Sequence, residues 1–290
     1  MQPRRLKAGR SRPGPARLLL TQDLSGDMTA MNDELKKKEE ALFRFFTENP
    51  RAALAFSGGV DSAYLFYAAV HAGCGIQAFY VDSAFNPAFE LADARRVAQT
   101  LKQELKVVEL DIMACPEAVA NGPRRCYHCK RAIFSALWQE ARRSGFDLLL
   151  DGNNASDDTG DRPGMQACRE LQVVSPLREA GLTKADIRAL SREAGLFTWD
   201  KPSYSCLATR VAQNQTITKA LLQRIESGEN ILRELGFSDF RLRVRGENAL
   251  LQVTAAQMDK ARGAMDTIEQ RLLTLFPQIS LDDVPRKGSI

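Results

Sequence analysis

The sequence predicts an α/β protein built as a doubly wound parallel sheet with a smaller C-terminal α+β domain. Three observations carry that prediction. Short apolar runs of strand length alternate with stretches of helical periodicity from residue 51 to residue 150, as βαβ units require. The first run passes into a helical stretch through Ser57-Gly58-Gly59, small residues that turn the chain sharply. From residue 218 onward a long amphipathic stretch precedes two alternating segments joined by Gly246-Glu247-Asn248, which reads as a helix followed by a hairpin.

In chain order, Leu35, Leu42, Phe43 and Phe46 recur at helical spacing over 32–47, opposite a charged face at 36–40. Residues 52–56 form an apolar run suited to a strand buried on both faces. Further strands are expected at 76–81, 105–110, 147–150 and 173–177, with helices at 88–101 and 132–143. Thr183 with Asp186 three residues on resembles a capping box, and Ile187, Leu190 and Leu196 supply the apolar face behind it. Residues 199–210 read as a loop, 218–235 as a helix ended by Gly236, 240–245 and 249–254 as the hairpin, 257–276 as one helix, and 279–284 as a last strand. The expected division is a basic tail over 1–30, a nucleotide-binding domain over 31–212 and a C-terminal domain over 213–290.

Composition sets the class. With 44% apolar and 26% charged residues in 290, the chain resembles an ordinary soluble domain with a substantial core. No apolar run approaches the roughly 20 residues of a membrane helix, and Leu18-Leu19-Leu20 is too short for a signal-peptide core. Arg4, Arg5, Lys7, Arg10, Arg12 and Arg17 against Asp23 and Asp27 give the tail the chain's whole formal charge of +4, so residues 31–290 are neutral. A neutral body argues against nucleic acid as the main partner. Met28 and Met31 are candidate starts, in which case the tail is not translated. Six scattered cysteines fit a reducing cytoplasm better than a disulfide-stapled secreted domain.

The turn at 57–62 has the chemistry of a phosphate cradle. Gly58 and Gly59 present no Cβ to an approaching ligand, while Ser62 and the first-turn N–H groups point at an anion favoured by the helix dipole. Asp61 would repel phosphate unless it caps the helix or shares Mg²⁺ with the ligand; Mg²⁺ is the reading taken. There is no Gly-Lys-Ser/Thr, so this is not a Walker loop. The hexapeptide Ser57-Gly58-Gly59-Val60-Asp61-Ser62 instead resembles the pyrophosphate loop of the ATP pyrophosphatases, which cleave ATP between its α- and β-phosphates to adenylate a substrate. In a doubly wound sheet ligands lie beyond the carboxyl ends of the strands, which assigns Asp82 to the binding side together with Asp151-Gly152-Asn153-Asn154, although the latter reads equally well as a plain turn.

The cysteines add chemistry. Cys126-Tyr127-His128-Cys129 lies ahead of a predicted helix, so both sulfurs can face one point near a positive helix end. Three readings compete. Structural zinc needs four ligands, and only His71 and His128 are available as histidines, with no second Cys-x-x-Cys. A redox disulfide is the second, and an iron–sulfur cluster on Cys126, Cys129 and a remote cysteine, with Cys206 the obvious partner, is the third. Cys74, Cys115 and Cys168 read as small apolar residues. Cys206 stands between Lys201 and Arg210, whose charges are expected to lower its pKa and make it a nucleophile.

Residues 201–210 (Lys-Pro-Ser-Tyr-Ser-Cys-Leu-Ala-Thr-Arg), the phosphate loop, Arg-Cys-Tyr-His-Cys-Lys at 125–130 and Arg241-Leu242-Arg243-Val244-Arg245 together resemble the LarE family of ATP-dependent sulfur transferases. The resemblance runs from about Leu35 to the C-terminus. It implies that Ser57, Gly58, Gly59, Asp61 and Ser62 hold the pyrophosphate and Mg²⁺ of ATP. A carboxylate of a pyridinium biscarboxylate mononucleotide then attacks the α-phosphate, and Cys206 displaces AMP. It further implies either that the cysteine gives up its own sulfur or that three cysteines bind a 4Fe–4S cluster carrying an exchangeable sulfide. The presence of Cys126 and Cys129 favours the cluster. Arg210, Arg243 and Arg245 suit a substrate with carboxylates and a phosphate, since the guanidinium fork pairs with both, although Arg241, Arg243 and Arg245 also read as a solvated stripe. Asn153 and Thr209 depart from the family's Thr and Ser. A homo-oligomer is expected from the same resemblance. The alternatives are a tRNA thiolase with a cluster, an ammonia-using ligase that would not need Cys206, and a non-catalytic nucleotide-binding protein.

Overall fold

A computed structural model describes residues 33–157 and 163–288. The predicted tail over 1–30, Met28, Met31 and the first residue of the expected 32–47 helix lie outside them. Strands β1 (Arg51–Ala55), β2 (Gly75–Asp82), β3 (Leu105–Glu109) and β4 (Leu149–Leu150) form a parallel sheet in the order β3-β2-β1-β4. Ala53 of β1 pairs with Gln77 on one side and Leu149 on the other. Central β1 is covered on both faces, which is why Ala52, Ala53 and Leu54 are wholly buried and its middle carries no polar residue.

Helices α1 (Asp33–Glu48), α2 (Val60–His71) and α3 (Ala88–Thr100) precede the short α4 (Pro116–Val119) and the long α5 (Arg125–Arg143). Helix α2 is apolar on most sides and buries Ala63, Tyr64, Leu65, Phe66, Ala68 and Ala69, as a helix wedged between neighbours must. On the other face Phe134, Leu137 and Ala141 of α5 pack against Ala53, Phe79 and Val81 of the sheet. Next come α6 (Pro163–Glu170), α7 (Pro176–Glu179) and α8 (Lys184–Glu193). The capping box at α8 is formed in both directions between Thr183 and Asp186.

The C-terminal part carries α9 (Lys219–Glu234), the antiparallel pair β5 (Arg241–Arg245) and β6 (Asn248–Gln252), α10 (Met258–Gly263), α11 (Met265–Leu272) and β7 (Ile279–Leu281), the last parallel to β6. Helix α9 lies close on β5: a Cβ at Gly228 would sit 2.6 Å from Leu242 Cδ2. Its core of Ile225, Leu232, Leu242, Val244, Leu251 and Phe276 is completed by Phe85, Ile112 and Ala118 from segments that follow β2 and β3. Leu207 and Ala208 are buried in that shared core, so the chain just after Cys206 is held between the two sheets.

Three expectations need correction. No strand occupies 173–177: Val174 makes one isolated parallel bridge to Leu150 before Pro176, which lacks an N–H, opens α7. The single helix expected over 257–276 is divided into a 3₁₀ turn (Ala255–Gln257), α10 and α11, with the interruption at Gly263 and Ala264. Helix α5 begins at Arg125 rather than 132, which puts Cys126 and Cys129 three residues apart on one face at its start.

Candidate active site

Strand order reverses beside β1, with β2 on one side and β4 on the other, so the loops leaving β1 and β4 border one crevice at the carboxyl edge of the sheet. Both predicted loops lie there. Gly58 has φ +71°, and a Cβ on it would come within 3.1 Å of the Ala94 backbone nitrogen in α3, so α3 clamps the turn in a shape only glycine adopts freely. Gly59 caps α2 with no side-chain hydrogen bond to the first turn, which leaves those N–H groups for an anion. The hydroxyls of Ser57 and Ser62 are 3.1 Å apart, and Ser62 Oγ donates to the Gly59 carbonyl at 3.2 Å.

Asp61 is not left to face an anion alone. Lys184 Nζ donates to its Oδ2 at 2.5 Å and Asn154 Nδ2 to its Oδ1 at 3.4 Å. Burial pushes its carboxyl above the usual range and the Lys184 ammonium works against that shift. Asp151 is buried and accepts from Ser175 Oγ at 2.7 Å and from Asn153 N at 3.1 Å, so its oxygens organise the turn at 151–154. Asp82 is exposed at the end of β2 and lines none of the three cavities described next.

A cavity of about 390 Å³ runs from the loop into the molecule, polar at Ser57, Asp61, Ser62 and Lys130 and apolar at Phe56, Tyr80 and Ile133. A second, of about 210 Å³, shares Ser57, Asp61 and Asn86 with it and continues to Gly59, Glu90, Lys184, Lys201, Tyr204 and Cys206. Residue 206 thus fronts the same space as the phosphate loop. A third, of about 420 Å³, is lined by Arg125, Cys126, Thr209, Arg210, Arg243 and Arg245.

Cys206 is half-buried at the start of a 3₁₀ turn (Leu207–Arg210). Its thiol pKa is raised, not lowered as expected from its sequence neighbours, because burial outweighs Arg125 and Arg210. Lys201 is committed elsewhere: its ammonium meets Asp93 Oδ2 at 2.6 Å and the Gly58 carbonyl at 3.3 Å. Arg210, expected on a substrate, is 1% exposed and directs its donors inward. Its Nε meets Glu229 Oε1 at 2.7 Å, and its Nη1 donates to the Ser205 carbonyl at 2.8 Å. Arg243 and Arg245 are exposed on β5, whereas Arg241 on the same face is buried and donates to the Ser203 carbonyl at 2.6 Å.

Cys126 is exposed and accepts from Arg125 Nη2 at 3.6 Å; Cys129 is half-buried. Burial, followed by the nearby Cys206 and Cys126 sulfurs, pushes the Cys129 thiol up to about 12, so the three thiols share one neighbourhood. They do not converge: among the described residues no three thiol, imidazole or carboxylate groups are arranged to hold a metal ion.

Sequence reasoning passed over Lys184, Glu90 and Glu229. A signal existed for Glu229, an acid on the apolar stripe of Leu222, Ile225 and Leu232. Lys184 follows the capping Thr183, a position with no chemical signature of its own, and nothing in the sequence marks Glu90.

No family model matches the chain. It is 35% identical over 229 residues to an uncharacterised protein of Synechocystis, covering 78% of this chain and 85% of that one. It is 28% identical over 251 residues to the pyridinium-3,5-bisthiocarboxylic acid mononucleotide synthase of Lactiplantibacillus plantarum, covering 86% and 91%. A tRNA-specific 2-thiouridylase of Thermotoga petrophila is 25% identical over 188 residues, covering 50% and 52%. Near end-to-end similarity to the synthase, half-length similarity to the thiouridylase, and an intact phosphate loop at the switch point of a parallel sheet place the chain in the LarE family of the pyrophosphate-loop ATP pyrophosphatases.

Proposed function

We propose that the chain is an ATP-dependent sulfur transferase. It adenylates a carboxylate of pyridinium-3,5-biscarboxylic acid mononucleotide, releases pyrophosphate, and converts the adenylate to a thiocarboxylate through Cys206, a step toward a nickel-pincer nucleotide cofactor. The observation that carries the reading is the single cavity lined by Ser57, Gly59, Asp61 and Cys206. An acid activated at the loop lies within reach of residue 206 without leaving the protein.

In this reading Ser57, Gly58, Gly59 and Ser62 bind the pyrophosphate of ATP, and Asp61 exchanges Lys184 for Mg²⁺. The apolar end of the larger cavity takes the nucleoside. Arg243 and Arg245 hold the substrate's phosphate and second carboxylate beside Cys126, while Arg210 positions the Cys206 loop. Cys126, Cys129 and Cys206 would hold a 4Fe–4S cluster as the sulfur source. What supports it is that Cys129 lies near both Cys206 and Cys126 and that burial raises the Cys129 and Cys206 thiols, which an iron cation would offset, once the three sulfurs closed around it. When bound, the cluster would supply exchangeable sulfide and allow repeated turnover. The thiolase alternative is disfavoured because the thiouridylase similarity covers only half of this chain and residues 31–290 are neutral.

The test separates the two half-reactions. Cys206→Ala is expected to retain ATP–pyrophosphate exchange within about threefold and to lose thiocarboxylate formation by at least about 10³-fold, because it removes the residue through which sulfur reaches the acid, as cluster ligand or as donor. Thiocarboxylate formation at the wild-type rate in Cys206→Ala contradicts the assignment.

A further inference from the structure

Lys201 joins two segments whose cooperation the reaction needs. It stands five positions before Cys206 in the chain, yet its ammonium donates to the carbonyl of Gly58 in the phosphate loop at 3.3 Å and pairs with Asp93 of α3 at 2.6 Å. Helix α3 is also the element against which Gly58 is packed, so loop, helix and lysine form one contact set. The same ammonium lies 5.5 Å from the centre of the Phe89 ring, which meets the Tyr204 ring edge-on at 5.0 Å. The Tyr204 hydroxyl donates to Glu229, Glu229 holds Arg210, and Arg210 donates to the Ser205 carbonyl at 2.8 Å. From the phosphate turn to the backbone of Ser205 and Cys206 the contacts are continuous and made largely of buried or half-buried groups.

We infer that Lys201 is a positioning residue that fixes the Cys206 loop against the phosphate turn, so that the thiol faces the cavity in which the acid is activated. The inference rests on the sulfur-transfer reading of that cavity. The ammonium is occupied by Asp93 and a backbone carbonyl, while the loop's N–H groups and serine hydroxyls are the ones that meet phosphate. Its loss therefore affects transfer rather than adenylation. A reacting sulfur displaced by about 1 Å loses on the order of 100-fold in rate.

The test uses the full chain, purified anaerobically, as wild type, Lys201→Ala, Lys201→Arg and Asp93→Asn. Three quantities are read: ATP–pyrophosphate exchange with the pyridinium dicarboxylate nucleotide, single-turnover thiocarboxylate formation, and, on protein first freed of iron with a chelator, labelling of Cys206 and Cys126 by iodoacetamide, resolved by peptide mass spectrometry. Lys201→Ala is expected to keep exchange within about threefold, to slow transfer by at least about 30-fold, and to change Cys206 labelling about fivefold with Cys126 labelling constant. Lys201→Arg recovers most of the transfer rate. Asp93→Asn shifts the same readouts in the same direction by less, and decides the matter if Lys201→Ala does not fold. Parallel loss of exchange and transfer, or no change in either, overturns the inference. If wild type shows neither exchange nor transfer, the sulfur-transfer reading has failed; Cys206 labelling then decides the Lys201 contact by itself, and equal labelling in wild type and Lys201→Ala overturns it.

Discussion

Glu229 is wholly buried on α9 and accepts from Arg210, from the Leu242 backbone at 3.2 Å and from the Tyr204 hydroxyl. One carboxylate therefore fixes the hairpin, the Tyr204 ring and the loop that carries Cys206. Removing it leaves the Arg210 guanidinium buried without its counter-charge, so Glu229→Ala is expected to destabilise the fold by about 3–5 kcal/mol, read as a lower urea midpoint. Glu90 gives a pH signature. Burial raises its carboxyl pKa from 4.5 to about 7 against the opposing Lys201 charge and an Asn86 hydrogen bond. The folded chain keeps that proton while the unfolded chain releases it. Glu90's contribution to stability therefore falls as pH rises from about 4.5 to about 7 and levels off above that. Glu90→Gln should flatten this part of the stability profile; an unchanged slope would show that Glu90 ionises normally.

At the scale of elements, the phosphate turn depends on α3 lying against Gly58. Gly58→Ala introduces a Cβ 3.1 Å from the Ala94 backbone nitrogen at φ +71°. The left-handed conformation alone costs about 1–2 kcal/mol, and relief requires the turn or the helix to move. Calorimetric titration with Mg²⁺ and α,β-methylene-ATP should show binding weakened at least about tenfold, the equivalent of 1.4 kcal/mol. Strands β1 and β2 were legible as short, mostly apolar runs, and β3 through the strand propensity of Val107 and Val108. The start of α5 was not, since Gly122-Pro123-Arg124-Arg125 reads as a turn and Cys, Tyr and His are weak helix formers. The 173–177 segment misled because Val173 and Val174 carry strand propensity, while only the tertiary setting decides that Val174 pairs once and Pro176 starts a helix.

At the scale of the whole molecule, the proposed reaction depends on bringing residue 206 to residue 57, and both line one cavity. The shared core does this: Phe85, Ile112 and Ala118 pack with Leu207 and Ala208, and Leu207 N donates to the Phe85 carbonyl at 2.9 Å. The phosphate loop could be read from six adjacent residues, because its chemistry is local. The acid beside Arg210 and the lysine beside Asp61 could not, because those partners are 19 and 123 residues away in the chain. If the three neighbouring thiols receive a cluster, protein isolated anaerobically should be brown and contain iron and acid-labile sulfide, both lost in Cys126→Ser. Colourless wild-type protein that loses the mass of H₂S at Cys206 after one turnover would place the sulfur source on the cysteine itself. The central claim is that the activated acid and residue 206 share one chamber, and a crystal structure with AMP and Mg²⁺ bound tests it most directly. The account predicts the AMP phosphate on the 57–62 turn with the Cys206 sulfur across the cavity from it and no side chain between. A phosphate bound elsewhere, or a sulfur turned away behind intervening protein, would contradict it.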